Sequence, residues 1–249
     1  MNHMFSIGDI ARLLNVPTAT LRFWEEKGLF TVEKGKNRYR RYNVRNLAEI
    51  ADVIFFRNLG IPVSRVGAMG SSTLEEYACH LQDTQDQLKE KIQTYSQMYG
   101  RTEQQLLHLQ EVRALMQCTF QLEEVPFCAV YAFDYGEKDK LLRYTQDPSC
   151  YVRYFDTRDM STEMRGIIMP PDQASGSLLW EKSSDSRFVT FLIREKVDQN
   201  YESDVTQTLA YLQRRYHTGH LLARYLLSAE EDGVRMDYLK AYLEIWPRE

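Results

Sequence analysis

The sequence predicts an α+β protein in three parts: a winged helix-turn-helix over residues 1–72, a long helix over 73–117 and a mixed α+β domain over 118–249. Three observations predict this fold class. Two short amphipathic helix patterns are followed at once by a basic segment. A run of about 44 residues then repeats apolar positions every seven, and the remaining residues alternate strand-like and helix-like patterns.

The first two helices are predicted from their caps and apolar spacing. Ser6, with Asp9 three residues later, forms a capping-box pattern that precedes apolar residues at helical spacing. Asn15-Val16-Pro17 is typical of a tight turn, and proline suits the start of the next helix. Gly28 suits the end of that helix, near Lys27. Two helices joined in this way, with a basic polar face on the second, predict a helix-turn-helix.

The segment from Lys34 to Tyr42 holds five cations and two tyrosines in nine residues. Arginine can bind phosphate oxygens through two N–H groups, and tyrosine adds a hydroxyl. A solubilising loop is the alternative interpretation, but a basic hairpin directly after a helix-turn-helix favours a DNA-binding wing. The predicted DNA contacts are Thr18, Thr20, Arg22, Phe23, Trp24, Lys36, Arg38, Tyr39, Arg40, Arg41 and Arg57.

Charge is unevenly placed along the chain. Residues 1–70 carry 11 Lys and Arg against 6 Asp and Glu, whereas residues 71–249 carry 20 against 29, for a net charge of −4. This asymmetry predicts a nucleic-acid-binding head on an acidic body. No apolar run approaches a membrane span and no basic-then-apolar leader is present, which predicts a cytoplasmic protein with reduced cysteines and no membrane partner.

Two further helices complete the predicted head. Asn43 is a candidate cap for the third helix, and Gly60 is its predicted end. Pro62 is predicted to begin a short fourth helix. The apolar stripe of the third helix is interpreted as Leu47, Ile50, Ala51, Ile54 and Phe55.

Heptad spacing from Leu74 to about Gln117 predicts one long coiled-coil helix. Gly100 interrupts its middle at a cost of roughly 1 kcal/mol relative to alanine. The small head cannot cover so long a seam, so the simplest partner is the same helix of a second copy. The predicted seam is Leu81, Gln85, Leu88, Ile92, Tyr95, Tyr99, Thr102, Leu106, Leu109, Arg113 and Met116.

Beyond Cys118, short β-branched and aromatic runs alternate with helical patterns, which predicts an α+β domain of about 130 residues. Helices are predicted at Asp139–Tyr144 and Ser203–Tyr216. The predicted strands are Thr119–Leu122, Cys128–Phe133, Tyr151–Phe155, Met164–Met169, Phe188–Arg194 and Leu239–Trp246.

The head resembles the MerR-type transcription regulators in five motifs, Phe5–Ala11, Thr20–Glu25, Lys27–Leu29, Tyr39–Tyr42 and Leu59–Ile61. The family usually has two tyrosines where Phe23-Trp24 stand. The resemblance implies that the long helices pair antiparallel in a homodimer. It also implies a pseudo-palindromic operator in a bacterial promoter, which the ligand-bound dimer distorts so that RNA polymerase can use it.

The C-terminal part resembles the effector domain of BmrR-like regulators, the GyrI-like fold, at Met164–Pro170, Arg187–Val189, Thr208–Leu212 and Tyr238–Pro247. The resemblance implies an organic effector, often cationic and aromatic in such relatives. Of the 16 tyrosines, 11 lie beyond residue 119, and a flat ring with one hydroxyl suits such a ligand. The predicted ligand contacts are Tyr151, Tyr154, Met164, Trp180, Tyr225, Tyr238, Tyr242, Glu244 and Trp246.

Strand alternation divides the last strand into two faces. Leu243 and Ile245 are interpreted as its core side, so Tyr242, Glu244 and Trp246 face either solvent or a ligand cavity. If Glu244 faces a cavity, a cationic aromatic ligand gains a counter-ion there. If Glu244 faces solvent, the pocket is close to neutral and shape dominates.

Two other functions stay open. A metal- or thiol-redox-sensing regulator could use Cys79, Cys118 and Cys128, although no pair has C-x-x-C spacing. A GyrI-like small-molecule hydrolase fused to a DNA-binding domain is the second, although the sequence has no nucleophile elbow and no phosphate-binding loop. We predict neither an enzymatic activity nor a cofactor.

Overall fold

The fold is given by a computed structural model, which describes residues 4–34, 39–118, 120–170 and 176–248. The chain packs as two compact units, Met1–Ser96 and Gln97–Glu249. One long helix, α5, runs from the first unit into the second. The packing divides the chain within α5, and the predicted division into domains at residues 72 and 117 stays a prediction.

The first unit is a small helical domain with one two-stranded hairpin. Its β1 and β2 pair antiparallel, Glu33 opposite Arg41 and Lys34 opposite Arg40. The elements in order are α1 Ile7–Leu14, α2 Thr18–Glu26, β1 Glu33–Lys34, β2 Arg40–Arg41, α3 Val44–Asn58, α4 Val63–Met69 and the start of α5 Leu74–Gln117.

Side-chain caps fix the helix starts that the sequence predicted. The Asp9 amide donates to the Ser6 hydroxyl at 3.2 Å, and the Ser6 amide donates to the Asp9 carboxylate at 3.0 Å. Asn43 caps α3 in the same reciprocal way with Asn46. Gly28 lies at φ +74°, the left-handed region that glycine enters without steric cost, so the predicted end of α2 is confirmed.

The core of this unit corrects the predicted stripe of α3. Ile50 is buried as predicted, but Ala51 and Phe55 are exposed, and Asn46 and Val53 are buried instead. Buried Asn46 is tolerated because its amide donates to the Thr31 carbonyl at 2.8 Å. The fully covered members of the core are Ile10, Leu21, Trp24, Phe30, Tyr42, Ile50, Val53, Ile61, Val66 and Met69.

Helix α5 spans 44 residues from Leu74 to Gln117, as predicted. Leu81 packs on the core of the first unit, and Val112 and Leu115 pack on the sheet of the second. Most of the predicted seam between them is open in the single chain, including Ile92, Tyr95 and Tyr99, which are each more than 60% exposed. Pairing of this seam with another helix stays a prediction.

The second unit is built on one antiparallel sheet of nine described strands. Its path is β3-β8-β11-β10-β5-β6-β4-β7, with the short β9 paired to β8. The strands are β3 Gln121–Glu123, β4 Ala129–Ala132, β5 Tyr151–Asp156, β6 Asp159–Ile168, β7 Leu178–Glu181, β8 Arg187–Lys196, β9 Glu202–Ser203, β10 Tyr216–Glu231 and β11 Val234–Pro247. Two helices, α6 Lys138–Gln146 and α7 Val205–Gln213, complete the unit.

All six predicted strands of this unit correspond to strands of the sheet, although Thr119 lies outside the described residues. Both predicted helices are confirmed as α6 and α7. The predicted strands do not include β7, β9 or the 16 residues of β10.

The central strands β10 and β11 present two covered faces. Leu243 and Ile245 pack against Leu209 and Leu212 of α7, which confirms their predicted core side; we call this the α7 face. Tyr238 and Tyr242 lie on the opposite side, which we call the α5 face because Val112 and Leu115 of α5 pack on it. Both faces are buried, so the sheet is a central layer.

Among the described residues, no helix has the length and apolar character needed to cross a membrane.

The core position of Trp24 yields a stability prediction. Trp24 is 6% exposed, whereas its neighbour Phe23 is 43% exposed. Trp24→Ala should destabilise the first unit by about 3–5 kcal/mol, because it removes a large buried ring. Phe23→Ala is the matched control and should change stability by less than about 1 kcal/mol. Hydrogen exchange of amides in residues 5–30 of the full chain measures both. Equal protection in the two variants would contradict the assigned core.

Cysteine reactivity gives a second prediction. Cys79, Cys118 and Cys128 are exposed, whereas Cys150 is buried. Burial raises the pKa of the Cys150 thiol to about 11, so its reactive thiolate is scarce at neutral pH. A thiol-specific reagent should titrate three groups in the native chain and four after denaturation. Fast native labelling of Cys150, detected by peptide mass, would contradict this packing.

Candidate nucleic-acid interface and ligand cleft

A concave surface of about 750 Å³ lies where α1 begins, α2 runs and the hairpin returns. Phe5 and Tyr42 position it, because the Phe5 amide donates to the Tyr42 carbonyl at 2.7 Å and the Tyr42 amide donates back at 2.9 Å. We call this surface the basic groove. Four of its residues are predicted DNA contacts: Arg22, Tyr39, Arg40 and Arg41.

The three arginines of the basic groove differ in their partners. Arg40 donates to the Glu25 carboxylate at 2.6 Å and is half-buried, so it ties β2 to α2. Arg22 and Arg41 are exposed, and neither forms an ion pair within the part of the chain that is described. These two guanidiniums are therefore available to phosphate or base edges.

The prediction for Trp24 requires a correction. Its indole is buried in the core beneath α2, where it cannot reach DNA without unfolding the helix. Tyr42 of the basic segment is also fully buried. Phe23 stays on the surface, with the Lys27 ammonium 5.5 Å from its ring centroid.

The other predicted DNA contacts have diverse positions. Thr18 is exposed at the start of α2, and Thr20 is half-buried one position before Leu21. Arg57 donates to the Ile61 carbonyl at 2.7 Å, which holds the turn after α3. Lys36 and Arg38 lie outside the described residues.

The predicted ligand contacts fall in separate places of the second unit. Tyr151 and Tyr225 lie on the α7 face. Tyr154, Trp180 and Tyr242 share an aromatic cluster on the α5 face, with Tyr154 opposite Met164 across the strand pair. Tyr238 packs with Val112 and Leu115. Trp246 is 44% exposed at the end of β11.

The aromatic cluster around Tyr242 is tightly packed. The Phe127 ring centroid lies 5.7 Å from that of Tyr242 and 5.8 Å from that of Trp180, both edge to face. Tyr242 is 1% exposed and Trp180 is 5% exposed. These rings form a core in this structure.

Glu244 borders the aromatic cluster and is 6% exposed. It accepts hydrogen bonds from the Ser186 hydroxyl at 2.6 Å and from the His220 amide at 3.3 Å. Gly219 allows this approach, because a Cβ there would lie 2.7 Å from a Glu244 oxygen and 2.5 Å from the Trp246 ring. Glu244 is therefore already satisfied by protein donors.

A cleft of about 370 Å³ opens on the α7 face. Five tyrosines line it together with three arginines and three carboxylates, and we call it the tyrosine cleft. Its lining residues are Tyr135, Tyr144, Tyr151, Arg153, Glu163, Arg165, Glu195, Val197, Tyr201, Tyr225, Ser228, Arg235, Asp237 and Leu239.

Arg153 organises the charges of the tyrosine cleft. It donates to both oxygens of Glu163, at 2.6 and 2.5 Å, and to the buried Glu195. Burial raises the pKa of Glu195, and Arg153 opposes that rise. Asp237 accepts from Ser228, whose hydroxyl is also 2.8 Å from the Tyr225 hydroxyl.

Sequence reasoning missed most of the tyrosine cleft. Tyr135, Tyr144, Tyr201, Glu195 and Asp237 come from five different segments of the chain. The tyrosine enrichment is visible in the sequence. Only the strand register shows which residues of β5, β8 and β10 share one face of the sheet. Counting alternate positions from Ile245 along β11 would have placed Asp237 on the α7 face.

The other face of the same strands binds α5 through ion pairs. Glu111 accepts from Arg224 at 2.9 Å and from Lys240 at 2.9 Å. Lys240 also donates to Glu123 at 2.6 Å. Adjacent residues of β10 therefore point to opposite faces of the sheet: Tyr225 lines the cleft and Arg224 binds α5.

The three cysteines considered for metal or redox sensing are free and exposed. Cys79 and Cys118 lie near opposite ends of α5, and Cys128 precedes β4. Within the described ranges, no group of three His, Cys, Asp or Glu side chains is arranged to hold a metal ion.

Two solved structures resemble the whole or part of the fold distantly. HiNmlR, described as a MerR family regulator lacking the sensor domain and bound to promoter DNA, is 21% identical and covers 45% of this chain and 91% of its own, with a TM-score of 0.36. EcmrR, solved as a complex with DNA, is 17% identical and covers 96% of this chain and 99% of its own, with a TM-score of 0.39.

Two sequence comparisons each match part of the chain. The family model for MerR family regulatory protein matches residues 6–42. The HTH-type transcriptional activator TipA of Streptomyces coelicolor is 27% identical over 101 residues, which are 40% of this chain and 40% of TipA. The chain thus spans well under half the length of this relative. The helix-turn-helix and hairpin of residues 6–42 are thus similar to the MerR family regulatory proteins.

Proposed function

We propose that this protein is a homodimeric transcription regulator whose first unit binds a promoter operator and whose second unit binds an organic aromatic effector. The observation that carries the proposal is the basic groove within the family-matched segment. There Arg22 of α2 and Arg41 of the hairpin reach one surface with no carboxylate partner among the described residues.

The two arginines have different predicted tasks on DNA. Arg22 projects from the second helix of the helix-turn-helix, the helix that lies in the major groove in this motif. It is the candidate for reading a base edge. Arg41 lies on the hairpin and is the candidate for phosphate, with Tyr39 beside it.

Dimerisation is supported by the open seam of α5. Ile92, Tyr95, Tyr99 and Leu106 are all more than half exposed, and they follow heptad spacing. A stripe of large apolar residues on a long helix is unfavourable in water. The same helix of a second copy, antiparallel, is the proposed cover.

The effector half of the proposal rests on the tyrosine cleft. Its volume suits a small molecule, and its rings offer flat apolar surfaces with hydroxyls for orientation. Because Tyr225 lines the cleft and the adjacent Arg224 binds α5, a ligand that moves β10 acts directly on the dimerisation helix.

The role as an activator is proposed from TipA, which is described as a transcriptional activator. The resemblance of residues 5–61 to the MerR-type regulators supports the same mode, in which a ligand-bound dimer distorts a promoter for RNA polymerase. Such a protein works in the bacterial cytoplasm, where the promoter is.

The DNA half is tested with duplexes that the wild-type chain selects from a random pool, against scrambled duplexes. Arg22→Ala should weaken binding to the selected duplex by about 1–3 kcal/mol, because a base contact is lost. Binding to the scrambled duplex should change much less. Arg41→Ala should weaken both and lower the salt slope by about 1, because one phosphate contact no longer releases a counterion.

Arg45→Ala is the matched control for both arginines. Arg45 is exposed on α3 but pairs with Glu49 at 3.1 Å, and it lies outside the basic groove. Binding titrations at several salt concentrations should show no change for this variant. Wild-type affinity of both Arg22→Ala and Arg41→Ala would overturn the assigned DNA surface.

The dimer is tested on α5. Ile92→Asp should shift the full chain to monomer, because it would bury a carboxylate in the seam without a partner. Gln93→Asp adds the same charge one position away, off the seam, and should leave the dimer intact. Sedimentation equilibrium measures both, and circular dichroism checks that the helix persists. A dimer that survives Ile92→Asp would contradict the seam.

A further inference from the structure

The carboxylates of the tyrosine cleft are already occupied by protein groups. Glu163 and Glu195 share Arg153, and the side chains of Arg153 and Glu195 are only 17% and 6% exposed. Asp237 accepts from Ser228. A cationic ligand that paired with Glu195 would have to displace Arg153, which would leave a mostly buried guanidinium with Glu163 as its remaining counter-ion.

Two guanidiniums of the cleft, unlike its carboxylates, are free to bind a ligand. Arg165 and Arg235 line it and are exposed, and neither forms an ion pair with any described residue. Arg165 lies directly opposite Arg153 on the neighbouring strand, a like-charge pairing that is unfavourable in a sheet. Glu230 is the cross-strand neighbour of Arg235, yet the two side chains do not pair.

Aromatic rings of the tyrosine cleft lie close to one of these two arginines. The Arg165 guanidinium lies 5.5 Å from the Tyr135 ring centroid. The Tyr144 ring is 6.1 Å from Tyr135 and 6.0 Å from Tyr151, both edge to face. A flat ring entering the cleft would therefore meet aromatic surface and a guanidinium together.

The tyrosine hydroxyls support the same charge preference. Burial raises the pKa of Tyr144, Tyr151 and Tyr225, so these phenols are neutral at physiological pH. A neutral phenol can donate a hydrogen bond to an anion, whereas a phenolate would repel it.

We propose that the tyrosine cleft selects an aromatic anion, an arene carrying a carboxylate or sulfonate, whose charge is bound by Arg165 and Arg235. This inference rests on the proposed effector role of the cleft and adds the ligand class. It replaces the cationic ligand considered for Glu244, whose carboxylate lies on the α5 face and is bound by Ser186 and His220.

The test uses three naphthalenes that differ only in charge: 2-naphthalenesulfonate, 2-naphthyltrimethylammonium and neutral 2-methoxynaphthalene. Calorimetry on the full chain should show the sulfonate binding at least about tenfold more tightly than either of the others, since two charge-assisted contacts favour it. Its affinity should also fall as salt is raised.

Three variants locate the charge. Arg165→Gln and Arg235→Gln should each lower the affinity for the sulfonate about fivefold to tenfold. The affinity for neutral 2-methoxynaphthalene should stay unchanged. Arg187→Gln is the control, because Arg187 is exposed on β8 but does not line the cleft. Tyr151→Ala should lower the affinity for every naphthalene that binds, since it removes one of the rings that line the tyrosine cleft.

The outcomes separate the two proposals. Equal or tighter binding of the neutral or cationic naphthalene, weakened by Tyr151→Ala, would overturn the anion preference and keep the effector cleft. Sulfonate binding that Arg187→Gln weakens as much as Arg165→Gln does would also overturn it. No binding of any naphthalene would overturn both the anion preference and the effector role, while the DNA titrations would stand on their own.

Discussion

The ion pairs of Glu111 are the interaction on which the second unit depends, because they join its long helix to its sheet. Glu111 binds both Arg224 of β10 and Lys240 of β11. Burial alone would lower the pKa of Lys240, but its bonds to Glu123 and Glu111 outweigh burial and raise it. Loss of Glu111 would leave two poorly exposed cations short of counter-charge, a strongly destabilising change.

The same two strands carry the tyrosine cleft on their other side. Successive strand residues point to opposite faces, so Arg224 and Lys240 face α5 while Tyr225 and Leu239 line the cleft. Only one layer of backbone separates the tyrosine cleft from α5. In the proposed function, the β10–β11 hairpin is therefore the structural part that the ligand site shares with the helix proposed to form the dimer.

In the first unit, surface and core alternate within a few residues of α2. Leu21 and Trp24 are buried, whereas Arg22 and Phe23 are exposed. Helical geometry requires this separation, because positions three apart share a face and their immediate neighbours do not. Arg40 couples the hairpin to this helix through Glu25, whereas Arg22 and Arg41 form no ion pair with the residues that the structure describes.

The sequence by itself determined the local features of this protein. Ser6, Asn43 and Gly28 mark helix ends because caps and a left-handed glycine act within four residues, and heptad spacing predicts the length of α5. Residues 6–42 likewise carry the family motif in contiguous order.

Only the tertiary structure decided that Trp24 is core, that Ala51 and Phe55 of α3 are exposed, and that Glu244 is bound within the protein. It also decided the tyrosine cleft, since that site joins residues from Tyr135 to Leu239 through strand register. Register is fixed by long-range packing of both sheet faces, which no local pattern encodes.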